Sequence, residues 1–174
     1  GKRYRQFVGA NRHQDFAYVG NAVPNSQQWR DALRLKDCGF NIIRTAHYPQ
    51  DPAFMDACDE LGLFIIVATP GWQFWNKKDS MFEKRVYQNT RDLIRRDRNH
   101  PSIFCWSIGN EVIERKKIEV VTTAHRLRQA VHKWDTTRPV TSALAAWDDD
   151  WEIYDPLAAE MDITGYNYLI HKAN

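Results

Sequence analysis

The sequence predicts an α/β fold, a (β/α)8 TIM barrel of which about six of the eight β/α units are present. Short apolar runs alternate with amphipathic segments, and new strands begin at intervals of roughly 20 to 40 residues. Polar side chains follow nearly every apolar run at its C-terminal end. Strands that are joined by helices run parallel, because each crossover returns the chain in the same direction.

Six apolar runs are predicted to be strands. The run at 63–68 is continuously apolar, which is typical of a strand that is covered on both faces. In chain order the predicted strands are 6–10, 40–44, 63–68, 103–108, 140–144 and 161–166.

Helix boundaries are marked by capping residues and glycines. Ser26 is predicted to cap the first helix, on which Leu33 faces the core. The pair Asp51-Pro52 starts the second helix, with proline in its first turn, and Gly62 ends it. Ser80, with a glutamate three residues later, fits the capping box of the third helix. The fourth helix has an apolar stripe: Val120, Ala124, Leu127 and Val131.

Two ways of arranging the parallel sheet compete, an open doubly wound sheet and a closed barrel. The glycine-rich dinucleotide fingerprint is absent after the first strand, which weakens the first arrangement. A ring of polar groups at the C-terminal ends of the strands is how barrel enzymes build their sites, so we favour the barrel. The residues of this ring are His13, Asp15, Arg44, His47, Trp72, Asn110, Glu111, Trp147, Asn167 and Tyr168.

Composition narrows the classes of partner. The net charge is +2 and spread along the chain, so no nucleic acid partner is expected. The longest apolar run, at 64–68, is far shorter than the roughly 20 residues of a membrane span, so no membrane partner is expected either. Three scattered cysteines and separated histidines fit no metal motif, and neither metal nor cofactor is predicted. The location remains open between the cytoplasm and the periplasm or exterior.

Aromatic residues make up 13% of the chain, including seven tryptophans. Four tryptophans lie outside the periodic segments, where an indole face typically serves a binding surface. The apolar C–H faces of sugar rings suit such surfaces, and a carbohydrate is the partner that we expect. The four residues are Trp72, Trp75, Trp147 and Trp151.

Glu111 follows the fourth strand directly, after a glycine that permits a tight turn. A carboxylate held rigidly at a barrel mouth suits a general acid, which needs hydrogen-bond reach to its substrate. The competing interpretation is a glutamate that only favours the dipole of the next helix. His13, His47 and Arg44 lie at the same rim, as contacts for sugar hydroxyls or as loop residues with structural hydrogen bonds.

Six segments in order resemble glycoside hydrolase family 2, the family of β-galactosidases and β-glucuronidases. They are GANRHQD, NIIRTAHYP, ACDELGLFIIV, RRDRNHPSIFCWSIGNE, DTTRPVT and DITGYNY. The resemblance implies that Glu111 is the catalytic acid/base and that Asn110 binds the sugar 2-hydroxyl. It places the tyrosine at position 168 close to the nucleophile. The substrate-binding residues that it implies are His13, Asp15, Arg44, His47, Asn110 and Tyr168.

The family's nucleophile, a glutamate at the end of strand seven, has no counterpart in this sequence. The strand count agrees, so we expect residues 1–174 to be a partial TIM-barrel catalytic domain (strands one to six) of a larger multidomain enzyme. We expect no hydrolysis by this chain alone. Open edges at the first and last strands also predict self-association.

The predicted activity is that of a retaining, exo-acting β-glycosidase on terminal non-reducing β-glycosides, most similar to β-galactosidases. A β-glucuronidase and a carbohydrate-binding barrel fragment without catalysis are the alternatives. An imine-forming aldolase or lyase would need a lysine at a strand end, and none of the six strands ends in one. The acidic metal ligand that some β-galactosidases carry after strand three is replaced by residues 68–70, Ala-Thr-Pro, so no magnesium site is expected.

Overall fold

The computed structural model describes residues 6–70, 78–112, 117–145 and 156–168. Its strands are β1 (Gly9–Arg12), β2 (Ile42–Thr45), β3 (Phe64–Ala68), β4 (Ile103–Asn110), β5 (Val140–Ala145) and β6 (Ile163–Asn167). Its helices are α1 (Asn25–Asp37), α2 (Pro52–Leu61), α3 (Phe82–Asp97) and α4 (Ile118–Trp134), with a 3-10 turn at Ala158–Glu160.

The six described strands form one parallel sheet in the order β1-β2-β3-β4-β5-β6. Each strand pairs with the next strand along the chain. This order confirms the predicted strands and their parallel direction. It has no reversal point of the kind on which a doubly wound sheet depends, so all described strands end at one rim. Association through the outer edges of β1 and β6 stays a prediction.

The residues predicted to begin and end α2 do so in the structure. The Asp51 side chain accepts a hydrogen bond from the backbone N–H of Ala53 at 2.8 Å, and Pro52 is the first helical residue. Gly62 ends the helix with a left-handed backbone (φ 66°). The stripe of α4 is likewise confirmed, because all four of its predicted core residues are fully buried.

Three details of the predicted helices are wrong. Ser26 lies inside α1, which begins at Asn25 after a proline. Leu33 is exposed, because α1 packs on α2 with another face. Asp79, rather than Ser80, accepts the hydrogen bond from the N–H of Met81, at 2.9 Å, since α3 begins two residues after Ser80.

The strand boundaries also differ from the prediction, by up to three residues. β1 begins three residues later than expected, because Gly9 through Arg12 pair with Ile42 through Thr45. β4 continues to Asn110, two residues further than predicted, so this member of the polar ring lies on the strand itself. No helix in the described ranges is long and apolar enough to cross a membrane.

The core lies between the sheet and its helices. Large, fully buried side chains from both layers meet there, among them Phe54 of α2, Ile65 of β3 and Leu127 of α4. Trp106 of β4 is also fully buried, and its indole N–H donates to Asp135 at 2.9 Å. Asp135 lies just before β5, at the end of the sheet opposite the polar ring. This end therefore holds structural contacts, which leaves the other end for function.

Gly9 is expected to be indispensable for the pairing of β1 with β2. A Cβ atom added at Gly9 would lie 1.8 Å from the carbonyl oxygen of Ile42. We expect Gly9→Ala to lower the free energy of unfolding by about 3 kcal/mol, measured by urea denaturation, and to accelerate amide exchange in β2. Gly20→Ala is the control, since open space surrounds Gly20 and only its positive φ (55°) costs about 1 kcal/mol. Equal urea midpoints for Gly9→Ala and wild type would contradict this explanation.

Candidate active site

Glu111 stands at the C-terminal end of β4 with an unusual backbone. Its φ is +48°, a left-handed conformation that a residue with a Cβ atom seldom adopts. Its N–H donates to the carbonyl of Ala143 in β5 at 2.7 Å, which anchors the bend to the neighbouring strand. Only 8% of Glu111 is exposed. The carboxylate is therefore rigidly held and shielded at the mouth of the barrel, the rim where the C-terminal ends of the described strands meet.

An irregularity in β4 gives this bend its geometry. The register between β4 and β5 shifts between Ser107 and Asn110. The carbonyl of Gly109, within the shifted segment, accepts hydrogen bonds from the hydroxyl of Ser142 at 3.0 Å and from that of Ser107 at 3.3 Å. Such bulges redirect side chains next to functional sites. Here the bulge turns Asn110 and Glu111 toward the mouth while the carbonyl of Gly109 keeps two donors.

Two residues at the end of β6 contact Glu111. The side-chain amide of Asn167 donates to Glu111 Oε1 at 2.6 Å. The Tyr168 hydroxyl also hydrogen-bonds to Glu111, and this bond raises the pKa of Tyr168. Tyr168 has a positive φ (62°) and is 68% exposed. β6, which is separated from β4 by β5, thus brings two side chains to the carboxylate that follows β4.

Arg44 of β2 completes the opposite side of the mouth. Its Nη2 donates to Asn110 Oδ1 at 2.8 Å. Arginine has donors only, so this bond orients the amide of Asn110 with its oxygen toward Arg44 and its N–H groups away. Burial lowers the pKa of Arg44, and the nearby negative charge of Glu111 opposes that shift.

His47 and His13 form a pair beside Arg44. Their rings meet edge to face with centroids 5.5 Å apart. Burial is the main cause that lowers the pKa of His47, and the charges of Arg44 and His13 lower it further, while Glu111 acts in the opposite direction. His47 is therefore neutral near pH 7, with one ring nitrogen able to donate and the other to accept.

Two buried polar atoms at the mouth have no hydrogen-bond partner among the described residues, namely Arg44 Nη1 and His47 Nδ1. A buried polar group without a partner is costly, so native structures seldom leave one unless a ligand or another chain segment satisfies it. Both atoms lie on side chains that the sequence assigned to substrate binding. Their position makes the mouth a candidate binding site for a polar ligand or for a further protein group.

The structure brings most of the predicted residues together and leaves some apart. Glu111, Asn110, Arg44 and Tyr168 form one connected cluster, with the histidine pair beside it. Asp15 is exposed and makes no hydrogen bond within the part of the chain that the structure describes. The four loop tryptophans predicted to serve sugar binding lie outside the described residues: Trp72, Trp75, Trp147 and Trp151.

Asn167 is the contact that the sequence did not single out. It was one member of the polar ring, without a role. Its position does carry a signal, because Asn167 ends β6 as Asn110 ends β4. The last residue of two alternate strands is thus an asparagine at the same rim of the sheet.

One group with metal-binding residue types lies elsewhere among the described residues. Asp56 and Asp59 of α2 face His100, which follows α3. Asp59 already accepts hydrogen bonds from His100 Nδ1 at 2.6 Å and from the N–H of Ser102 at 2.9 Å. These bonds join α2 to the segment before β4, so the group has a structural explanation away from the mouth.

Comparison with known proteins identifies relatives of this chain. The family model described as glycosyl hydrolases family 2, TIM barrel domain, matches residues 1–167. A β-galactosidase from Thermoanaerobacter pseudethanolicus is 41% identical over 133 residues, 75% of this chain and 17% of that protein. A putative β-glucuronidase from Formosa agariphila is 41% identical over 104 residues, 60% of this chain and 12% of that protein. The chain thus spans less than a fifth of either relative.

Solved structures show the same fold. A glycosyl hydrolase family 2 member from Bacteroides cellulosilyticus superposes with a TM-score of 0.83 at 34% identity, covering 94% of this chain and 22% of that chain. Bacteroides uniformis β-glucuronidase 2, covalently bound to cyclophellitol-6-carboxylate aziridine, gives a TM-score of 0.82 at 32% identity, covering 94% of this chain and 21% of that chain. These likenesses confirm the predicted partial TIM barrel.

The lowered pKa of His47 leads to a pH prediction. The unfolded chain binds a proton at this residue near pH 6.5, about its ordinary value, whereas the folded chain binds it only at lower pH. Folding stability is therefore expected to fall as the pH decreases below about 6.5. The substitution Arg44→Gln removes a nearby cation and should therefore raise the pKa of His47. NMR titration of the imidazole ring measures this pKa.

The control for that titration is Arg91→Gln, since Arg91 lies on the surface of α3 and pairs with Asp92. It should leave the His47 titration unchanged. A wild-type His47 that titrates at or above pH 6.5 would show that the ring is not desolvated as the structure has it.

Proposed function

The chain belongs to family 2 of the glycosyl hydrolases, to its TIM barrel domain, and on this premise we propose that the whole protein is a retaining, exo-acting β-glycosidase with Glu111 as its acid/base. The observation that carries the proposal is the placement of Glu111. It is a shielded carboxylate, fixed by hydrogen bonds from the end of β6, beside two buried polar atoms that have no partner in the described residues.

Glu111 would act in both steps of a double displacement. It first protonates the glycosidic oxygen as the bond to the anomeric carbon breaks, and it later deprotonates the water that releases the sugar. A second carboxylate, roughly 5–5.5 Å away, attacks the anomeric carbon. We assign that role to a glutamate at the end of strand seven of the whole protein. Nη1 of Arg44, which is buried and has no partner among the described residues, is suited to hold that carboxylate, because a buried guanidinium favours an anionic partner.

The remaining residues would bind the sugar. Asn110 presents N–H donors to the 2-hydroxyl oxygen, since Arg44 occupies its carbonyl oxygen. The neutral His47 and its neighbour His13 can donate to and accept from further hydroxyls. Asp15, exposed at the rim, is proposed as a hydroxyl acceptor. Tyr168, which hydrogen-bonds to Glu111, lies where it can also reach the nucleophile.

Double displacement also has support from a relative. Bacteroides uniformis β-glucuronidase 2 is covalently bound to a cyclophellitol-derived aziridine. A covalent bond to a sugar-like electrophile is the product expected when an enzyme nucleophile attacks it. An inverting glycosidase, which activates water instead, would have no reason to form such a bond.

The proposed substrate is a terminal β-galactoside, and a β-glucuronide is the second candidate. Two relatives named β-galactosidase are 41% and 48% identical to this chain. Relatives named β-glucuronidase occur as well, including solved structures. A glucuronide carries a carboxylate that needs cationic partners. Arg44, the guanidinium near Glu111, already binds Asn110 and is assigned to the nucleophile, so it is poorly placed for a substrate carboxylate.

The role of Glu111 predicts a specific response to Glu111→Ala in the whole protein. Substrates with poor leaving groups, such as phenyl β-glycosides, should lose about 10³-fold in kcat/KM, because their departure requires a proton. Dinitrophenyl glycosides should lose far less. Azide, which needs no general base, should restore turnover and yield the β-glycosyl azide, identified by NMR.

The matched control for that series is Glu60→Ala, which removes an exposed glutamate of α2. It should leave all rates unchanged. Uniform loss across leaving groups in Glu111→Ala, without azide rescue, would refute the acid/base assignment.

The sugar assignment predicts a ranking of substrates. With the whole protein, nitrophenyl β-galactoside should exceed nitrophenyl β-glucuronide by at least about 10-fold in kcat/KM, as expected when one substrate leaves a charge unpaired. The α-galactoside serves as control and should not react, because its leaving group lies on the wrong face of the ring. Faster hydrolysis of the glucuronide would replace the first candidate by the second.

A further inference from the structure

The amide of Asn167 makes a short contact with the proposed acid/base. Its Nδ2 lies 2.6 Å from Glu111 Oε1, and the two residues are 56 positions apart in the chain. β5 lies between their strands in the sheet. The contact therefore depends on the tertiary fold and is not a local turn.

The chemistry of the two groups fixes the direction of this hydrogen bond. An amide nitrogen can only donate, so Glu111 Oε1 must be the acceptor. An ionised carboxylate accepts at either oxygen, whereas a protonated carboxyl accepts at its carbonyl oxygen. With Oε1 held as acceptor, the proton of a protonated Glu111 is confined to Oε2. Tyr168 does not impose this, because a hydroxyl both donates and accepts.

Resting on the proposed function, we infer that Asn167 is a positioning residue that keeps the transferable proton of Glu111 on Oε2. In the first step the Oε2–H bond breaks, and the proton passes to the glycosidic oxygen as its bond to the anomeric carbon is replaced by a bond to the nucleophile's carboxylate. In the second step Oε2 takes a proton from the water that attacks the same carbon, and the bond from that carbon to the nucleophile breaks. Oε1 accepts from Asn167 throughout, so the carboxyl group does not rotate between the steps.

A direct contact between Asn167 and the sugar is the rival role, and kinetics distinguish the two. Loss of a sugar contact weakens binding of every substrate with that sugar, whatever its leaving group. Loss of proton positioning slows hydrolysis most for substrates whose leaving group must be protonated before it can depart. The dependence of kcat/KM on the leaving group therefore reports positioning, and inhibition by the free monosaccharide reports sugar binding.

The test is Asn167→Ala and Asn167→Asp in the whole protein, assayed with aryl β-glycosides that span a range of leaving-group pKa. Asn167→Ala should lower kcat/KM about 30-fold for phenyl glycosides and about 2-fold or less for dinitrophenyl glycosides, a fraction of the full general-acid effect. Asn167→Asp should lower the phenyl glycoside rate further, because a carboxyl group at this position can draw the proton to Oε1. Inhibition by the monosaccharide should not change in Asn167→Ala.

Asn41→Asp is the matched control. The Asn41 amide bonds to backbone groups of residues 6 and 8, at the opposite end of the sheet. This variant should keep the wild-type leaving-group dependence. Asn167→Ser provides a second small replacement, so that the result does not depend on one variant that folds poorly. Thermal melting followed by circular dichroism identifies the variants that fold.

Equal losses across the leaving-group series, or weaker inhibition by the monosaccharide in Asn167→Ala, would overturn the inference. Glu111→Ala in the same series separates this result from failure of the proposed function. If Glu111→Ala shows the leaving-group dependence and both small variants of Asn167 do not, only the positioning role fails. If Glu111→Ala lacks it as well, the acid/base assignment fails and the role of Asn167 fails with it.

Discussion

The site depends on the common direction of the six described strands. In a parallel sheet with sequential order, every strand delivers its last residue to the same rim. Arg44 of β2 reaches Asn110 of β4 across 66 positions of chain, and Asn167 of β6 reaches Glu111 across 56. Both bonds skip one strand, so they also require inward-facing side chains at matching heights. A slip of one residue in any of these strands would turn the side chain to the helix-covered face and remove it from the mouth.

Within that arrangement, two of the three described non-glycine residues with positive φ directly follow strands. Glu111 and Tyr168 both follow a terminal asparagine and both have positive φ. Such a conformation costs of order 1–2 kcal/mol in a residue with a Cβ atom and needs support from its surroundings. The hydrogen bond from Glu111 N–H to Ala143 provides that support on β4. The same bends explain why two successive side chains reach the mouth from each of these strands. They are Asn110 and Glu111 from β4, and Asn167 and Tyr168 from β6.

The sequence predicts those features whose causes are local or periodic. Asp51-Pro52 and Gly62 mark α2 correctly because capping depends on adjacent residues, and the α4 stripe follows from helical periodicity. Residue types at strand ends, with the family motifs, single out the site residues before any geometry is known. The pairs Arg44–Asn110 and Asn167–Glu111 do not follow, because they depend on register. That register includes a shift in β4 that no periodic pattern reveals.

Burial determines which charges the mouth can hold. Desolvation lowers the pKa of His47, and the guanidinium of Arg44 reinforces it, so the histidine stays neutral where a cation is already present. A second cation beside Arg44 would attract an anionic ligand, whereas a neutral imidazole offers one donor and one acceptor, which suits a hydroxyl. Among the described residues, the groups around Arg44 therefore combine the carboxylate of Glu111, one guanidinium and a neutral imidazole. Under the proposed function, this composition fits an uncharged sugar better than a substrate that brings a charge of its own.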